Sequence, residues 1–309
     1  IAASSKAHYT HNRMCRVLNT EFIEIPDTSE GETDWDYLMD HLDDIGTLVV
    51  TMGTTGLGEV EPLADLLPSL KKHGVRVHVD GAYGGFFKII ESELNSEIHW
   101  SKLHEADSIV IDPHKHGLQP YGCGSIIFKD PAVGQFFKHD SPYTYFTSDD
   151  LHLGEISLEC SRAGASAAAF WATLKLFPLN EHGLGKHLKS TVKAAKLMYG
   201  SLSGSDKFEC FNKPDLDILA YFPVPGEKSM RAVSELCSEL FEAGAEAAPG
   251  EGLHLSLFKV SADQFQAKFP EYKKDAETVT LLRSVLMKPE HELFVTKLIK
   301  RLNTLLDNL

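Results

Sequence analysis

Two stretches decide the fold: Val75-Arg76-Val77-His78-Val79-Asp80-Gly81-Ala82-Tyr83-Gly84-Gly85 and Ser108-Ile109-Val110-Ile111-Asp112-Pro113-His114-Lys115-His116-Gly117. Each is a short apolar run that breaks off in a polar or glycine-rich turn. Runs of roughly four to eight apolar residues between turn signals suit strands buried on both faces, as in a parallel sheet. One run ends on a carboxylate, Asp80, and the other leads to an amine, Lys115.

The pattern repeats outward. Strands are expected at residues 21–25, 47–51 and 124–128. A helix is expected over 34–44 with Thr33 as its cap, and another over 62–73, with proline in its first turn and Gly74 just past its end. Strand–helix alternation of this kind implies an α/β large domain built on a mostly parallel sheet. Ligands in such sheets bind beyond the carboxyl ends of the strands, and Thr51, Asp80 and Lys115 all fall at or beside such ends. Helices are expected over 163–177 and 185–202. After Gly204, strands at 207–211, 218–222, 253–260 and 278–287 interleave with helices at 229–243 and 290–306. This reads as a smaller α+β C-terminal domain, with the division at 1–184 and 185–309.

Composition narrows the function classes. The 309 residues are 43% hydrophobic and 24% charged, which is ordinary globular composition with length for a sizeable core. A formal net charge of −14 argues against sequence-independent nucleic-acid binding, which needs a basic footprint. No apolar run reaches the roughly 18 residues of a membrane span. Five widely spaced cysteines without a C-x-x-C pair read as reduced thiols, and hence as a cytoplasmic protein.

An amine and a carboxylate at neighbouring strand ends are what pyridoxal-phosphate chemistry requires. The lysine captures the cofactor aldehyde and the aspartate keeps the pyridine nitrogen protonated. Each residue also has a plainer reading. Lys115 could be a solvated side chain, Asp80 a helix cap near Gly84, and His8 a surface histidine. His114 with His116 invites a metal site, but i, i+2 spacing with no completing carboxylate or cysteine argues against it. In the functional reading, Ala82 and the two glycines after it let a flat ring lie close to the backbone.

Taken together, five blocks resemble the group II pyridoxal-phosphate-dependent amino-acid decarboxylases (the aromatic-amino-acid, glutamate and tyrosine decarboxylase group). They are Ser5-Lys6-Ala7-His8-Tyr9, Thr51-Met52-Gly53-Thr54-Thr55, His78 to Gly85, Asp107 to Lys115, and Leu282-Arg283-Ser284-Val285-Leu286-Met287. They occur in the family's order. The Asp-Pro-His-Lys form looks nearest to the archaeal-type tyrosine/aspartate decarboxylases. The resemblance implies the aspartate-aminotransferase-like (type I) fold and a homodimer with active sites at the subunit interface.

It further implies that Lys115 is the Schiff-base lysine and that Asp80 partners the pyridine nitrogen. His8 would stack on the ring, Ala82 would pack its other face, Thr51 would lie near the ring hydroxyl and His114 near the phosphate. Tyr143 resembles the tyrosine that protonates the carbanion, with Tyr145 its competitor and His8 the alternative acid. Arg283 matches either an arginine that meets the substrate carboxylate or one held in a structural salt bridge. Asp112, where the animal enzymes usually have asparagine, either lies near the phosphate or orients His114 or Lys115. The family's Gly/Ser-rich phosphate loop is expected upstream of Ile1. The implied reaction is loss of the α-carboxylate of an amino acid to give an amine and CO2. The alternatives are a carbon–carbon lyase resembling sphingosine-phosphate lyase and a catalytically incompetent subunit of the same scaffold.

Overall fold

The computed structural model describes residues 1–139, 151–156, 163–248 and 250–309. Among them the chain forms two sheets. The first has the order β2-β1-β3-β4-β5-β6, with β1 Ala2–Ser4, β2 Ile23–Ile25, β3 Thr47–Thr51, β4 Arg76–Asp80, β5 Ser108–Ile111 and β6 Ser125–Phe128. Its pairs are parallel except β5–β6, which is antiparallel. The expected mostly parallel sheet is therefore present. β1 is an addition, since three residues are too short to carry a visible period.

The apolar strands explain the layer arrangement. Leu48, Val50, Val77 and Val79 pack with Leu63, Leu66, Leu67 and Leu70 of the Leu63–Lys72 helix and with Trp100 in one core. That helix ends where the sequence places its stop, at Gly74, whose φ of +69° L side chains rarely adopt. The helix expected over 34–44 is shorter, Trp35–Asp40, followed by a single turn of 3-10 helix at Leu42–Asp44. Its cap is Asp34 and not Thr33: the Asp34 carboxylate accepts from the Tyr37 N–H at 2.9 Å.

The second sheet is antiparallel, with order β7-β8-β10-β9 for β7 Phe208–Cys210, β8 Ile218–Pro223, β9 Ser256–Ser261 and β10 Thr278–Val285. The helices Met230–Glu246 and His291–Leu306 pack with it through Val233, Cys237, Leu240, Val295 and Leu302. The 20-residue helix Leu184–Ser203 belongs to both cores. Leu184, Leu188 and Val192 join the first, and Ala194, Ala195, Met198 and Leu202 the second. The proposed division at 184/185 falls at the start of this shared helix. Among the described residues no helix is long and apolar enough to cross a membrane. Cys15, Cys123, Cys210 and Cys237 are free thiols.

Candidate active site

Register brings the strand ends together. Thr51 lies opposite Asp80 in the β3–β4 ladder, and Asp80 lies opposite Val110 in β4–β5. The loops that follow are tied to each other. The Met52 N–H donates to the Asp80 carbonyl at 2.9 Å, and the Asp112 N–H donates to the Ala82 carbonyl at 3.2 Å. Gly84 allows this closeness: a Cβ there would lie 2.0 Å from the Met52 carbonyl oxygen. At Gly85 a Cβ would meet Ile111 Cγ1 at 2.7 Å. Both glycines thus serve the packing of strand-end turns.

Asp80 is 7% exposed, and its side chain is fully engaged. Oδ1 accepts from the Ala82 N–H at 3.1 Å, while Oδ2 is 2.8 Å from His11 Nε2. Burial pushes the carboxyl up, but the His11 and Ala82 hydrogen bonds and the Lys115 charge outweigh it and hold it below its ordinary value. Asp80 is therefore a carboxylate at neutral pH. The plainer reading of Asp80 as a helix cap does not hold: the helix Gly85–Glu93 begins at Gly84 with no side-chain cap, and Oδ1 makes only the local turn bond to the Ala82 N–H.

Lys115 Nζ is 3.2 Å from Asp112 Oδ2, and His114 Nε2 is 3.7 Å from the same oxygen. Asp112 thus touches both neighbours that sequence reasoning offered it. His114 Nδ1 is 2.9 Å from the Cys123 carbonyl, and its ring stacks on Tyr121 with centroids 4.7 Å apart. His8 is half-buried. Burial lowers its pKa and the Lys115, His11 and Arg13 charges reinforce this, against the Asp80 charge. These interactions put His8 within the same electrostatic cluster as Asp80, His11 and Lys115.

Thr51 carries the most telling atom. Its Oγ1 is buried without a hydrogen-bond partner, a state that native structures rarely leave unfilled. Beneath it the Thr51 N–H donates to Glu61 Oε2 at 2.6 Å, and Ser4 Oγ donates to Oε1 at 2.5 Å. Burial pushes the Glu61 carboxyl up to about 7 against these bonds. Ala82 stands at the start of the turn after β4. Arg283, on β10, donates from Nε to the Gly56 carbonyl at 2.7 Å and from Nη2 to the Thr55 carbonyl at 2.5 Å. It braces the turn that follows Thr51 through these carbonyls, where the structural alternative foreseen for it was a salt bridge. Tyr143 and Tyr145 lie outside the described residues.

Three residues were missed from sequence. His11 is three positions beyond His8 and was readable only as part of a His-rich start. Glu61 looked like an ordinary acid beside a helix. Asp217, in the loop before β8, receives Tyr83 Oη at 2.5 Å and pairs with His116 Nε2 at 2.8 Å. No local pattern announces a contact across more than a hundred residues. His116 therefore faces a carboxylate, and among the described residues no group of three or more His, Cys, Asp or Glu side chains could hold a metal ion.

Comparison with known proteins finds similarity in sequence and in fold. The model of the pyridoxal-dependent decarboxylase conserved domain matches residues 1–222. A probable L-tyrosine/L-aspartate decarboxylase of Methanosphaera stadtmanae is 30% identical over 221 residues, covering 70% of this chain and 54% of that protein. The L-tyrosine decarboxylase of Enterococcus faecium is 28% identical over 240 residues, covering 63% of this chain and 39% of that one. The chain thus spans about half or less of the length of these relatives. Among solved structures, Lactobacillus brevis glutamate decarboxylase matches with a TM-score of 0.77 at 18% identity, covering 100% of this chain and 66% of that one. Catharanthus roseus tryptophan decarboxylase in complex with L-tryptophan matches at 0.75 and 17%, covering 100% and 62%. At such identities the structures speak for the fold alone, which is that of the pyridoxal-phosphate decarboxylases.

Proposed function

Because the chain belongs to the pyridoxal-dependent decarboxylase family, we propose that it works with pyridoxal 5′-phosphate to remove the α-carboxylate of an amino acid, giving an amine and CO2. The observation that carries the reading is the meeting of an ionised Asp80, the Lys115 amine and the partnerless Thr51 hydroxyl at three adjoining strand ends. These groups fit the ring of the cofactor: a carboxylate for its nitrogen, a hydroxyl for its oxygen and an amine for its aldehyde. Bound there, the cofactor supplies a ring that accepts the electron pair left when the carboxylate departs.

In this reading the chain's own groups divide the remaining work. Asp80 holds a proton at the ring nitrogen, and its burial makes that charge interaction stronger than it would be in water. His11 and the Ala82 N–H keep Asp80 ionised and aimed. With the cofactor bound, His8 and Ala82 would flank its ring and exclude water. Thr51 Oγ1 would hold the ring oxygen and so gain its missing partner. His114 would help to hold the phosphate. Asp112 orients the Lys115 ammonium and can take part in its proton exchange. Tyr143, or Tyr145 beside it, returns a proton to Cα. With Nε and Nη2 of Arg283 engaged by carbonyls, a substrate-carboxylate role for this residue rests on its Nη1 edge.

The decarboxylase names of the curated relatives support this reaction over the lyase alternative. We further propose a cytoplasmic homodimer with the site at the subunit interface. The exposure of Tyr9 and Tyr121, beside His8 and His114, supports a second copy completing it. The test uses the full-length protein with pyridoxal 5′-phosphate and carboxyl-labelled L-tyrosine, L-aspartate or L-2,4-diaminobutyrate. Labelled CO2 is expected from at least one substrate and its loss is expected in Lys115→Ala. Aldehyde formation without CO2, or CO2 release that survives Lys115→Ala, would refute the proposal.

A further inference from the structure

The segment just before β8 leaves the small sheet and enters the large-domain core. Leu216 is fully buried among the first sheet's core side chains, and Asp215 Oδ2 accepts from the Val60 N–H at 3.3 Å. Asp217 follows, with no exposed surface, anchored by its carbonyl to the Leu286 N–H at 2.9 Å. Its two carboxylate oxygens reach two different loops. Oδ1 accepts from Tyr83, three residues after Asp80. Oδ2 pairs with His116, the residue after Lys115. The loop is closed a second time, because His116 Nδ1 is 3.1 Å from the Tyr83 carbonyl.

The His116 ring is therefore fixed on all sides. Its Nδ1 faces the Tyr83 carbonyl and its Nε2 faces the Asp217 carboxylate. The Tyr83 and Phe87 rings meet it edge-on, at centroid distances of 4.6 and 4.8 Å. Burial works against the Asp217 carboxylate, but His116, Tyr83 and Thr191 more than offset it. Such a pair is weak evidence for stability, since apolar replacements often serve as well. What it fixes is geometry. One small-domain carboxylate joins the loop of Asp80 to the loop of Lys115, while Arg283 from the same sheet holds the turn after Thr51.

We propose that Asp217 is a positioning residue: through His116 and Tyr83 it sets Lys115 and Asp80 in mutual register and makes that register depend on the seating of the small sheet. This rests on Lys115 being the reacting amine. The small sheet then does more than cover the site, because its displacement misaligns the lysine directly.

The test reads Lys115 itself. Full-length protein is exposed briefly to pyridoxal 5′-phosphate and reduced with borohydride, and the adduct at Lys115 is quantified by peptide mapping, with circular dichroism confirming that each variant is folded. Asp217→Asn should lower the Lys115 adduct about tenfold or more, as expected for loss of alignment at a reacting centre. His116→Gln retains a donor near the Nε2 position and should stay within about threefold of wild type. Leu240→Ala, in the small-domain core, supplies a comparable loss of stability without touching the network and should leave labelling unchanged. Wild-type labelling in Asp217→Asn, or an equal fall in Leu240→Ala, overturns the proposal. Tyr83→Phe removes one of the two bonds and decides the matter if Asp217→Asn does not fold: labelling equal to wild type counts against the proposal. Failure of the wild-type protein to take the adduct at Lys115 overturns the assignment of the lysine, a distinguishable result, and the proposal with it.

Discussion

Replacing Glu61 by glutamine should make the protein more stable at alkaline pH and nearly leave it alone in acid. Glu61 is 5% exposed, and burial holds its carboxyl at about 7 against an ordinary 4.5. The folded protein therefore binds this proton more tightly than the unfolded chain does. Its contribution to stability is fully present below 4.5 and is lost as pH rises through about 7. The loss amounts to about 3 kcal/mol at 1.36 kcal/mol per pKa unit. Glutamine has no charge to bury. Its amide oxygen can still accept from the Thr51 N–H, and the Ser4 hydroxyl can turn round to accept from the amide N–H. Urea denaturation of both proteins at about pH 4.5 and about pH 8 isolates the effect, because other titrating groups cancel in the double difference. The stability gap should move in favour of Glu61→Gln by about 2–3 kcal/mol between the two conditions. Parallel pH profiles, or a gap moving the other way, would refute the assignment of Glu61 as a buried acid.

Further outcomes follow from the same contacts. His11→Leu removes the donor to Asp80 Oδ2, so the Asp80 carboxyl should rise. A depressed carboxyl contributes stability above its ordinary value that is lost as pH falls through the folded value. The acid-unfolding transition should therefore begin at higher pH in the variant, and an unmoved transition contradicts the role of His11. Arg283→Met strips the Thr55 and Gly56 carbonyls of their donor and should cost about 1–3 kcal/mol in urea unfolding, whatever its effect on substrate. Asp34→Ala should cost about 1 kcal/mol through loss of the N-cap, whereas Thr33→Ala at the expected cap position should cost less.

The elements that sequence revealed are those whose cause is local. The runs ending at Thr51, Asp80 and Ile111 are short and apolar, so composition alone marks them, and their polar ends mark the site. The Leu63–Lys72 helix carries its own start and stop. What escaped depends on contacts between distant residues. β1 is too short to show a period. Thr33 and Asp34 are both good caps by type, and only the chain path chooses between them. His116 looked like half of a weak metal pair, because its partner Asp217 lies 101 residues away. Arg283 carried two readings, neither of which foresaw its donors on the carbonyls of Thr55 and Gly56. Glu61 gave no sign of burial, since its environment is built by Ser4 of β1 and Thr51 of β3.

The central claim is that Lys115 is the amine that meets the cofactor. The most direct measurement is mass mapping of the full-length protein after equilibration with pyridoxal 5′-phosphate and borohydride reduction. The account predicts one dominant adduct, on Lys115, accompanied by loss of a visible absorption band on reduction. Adducts spread over exposed lysines such as Lys72 and Lys259, with Lys115 unmodified, would contradict it.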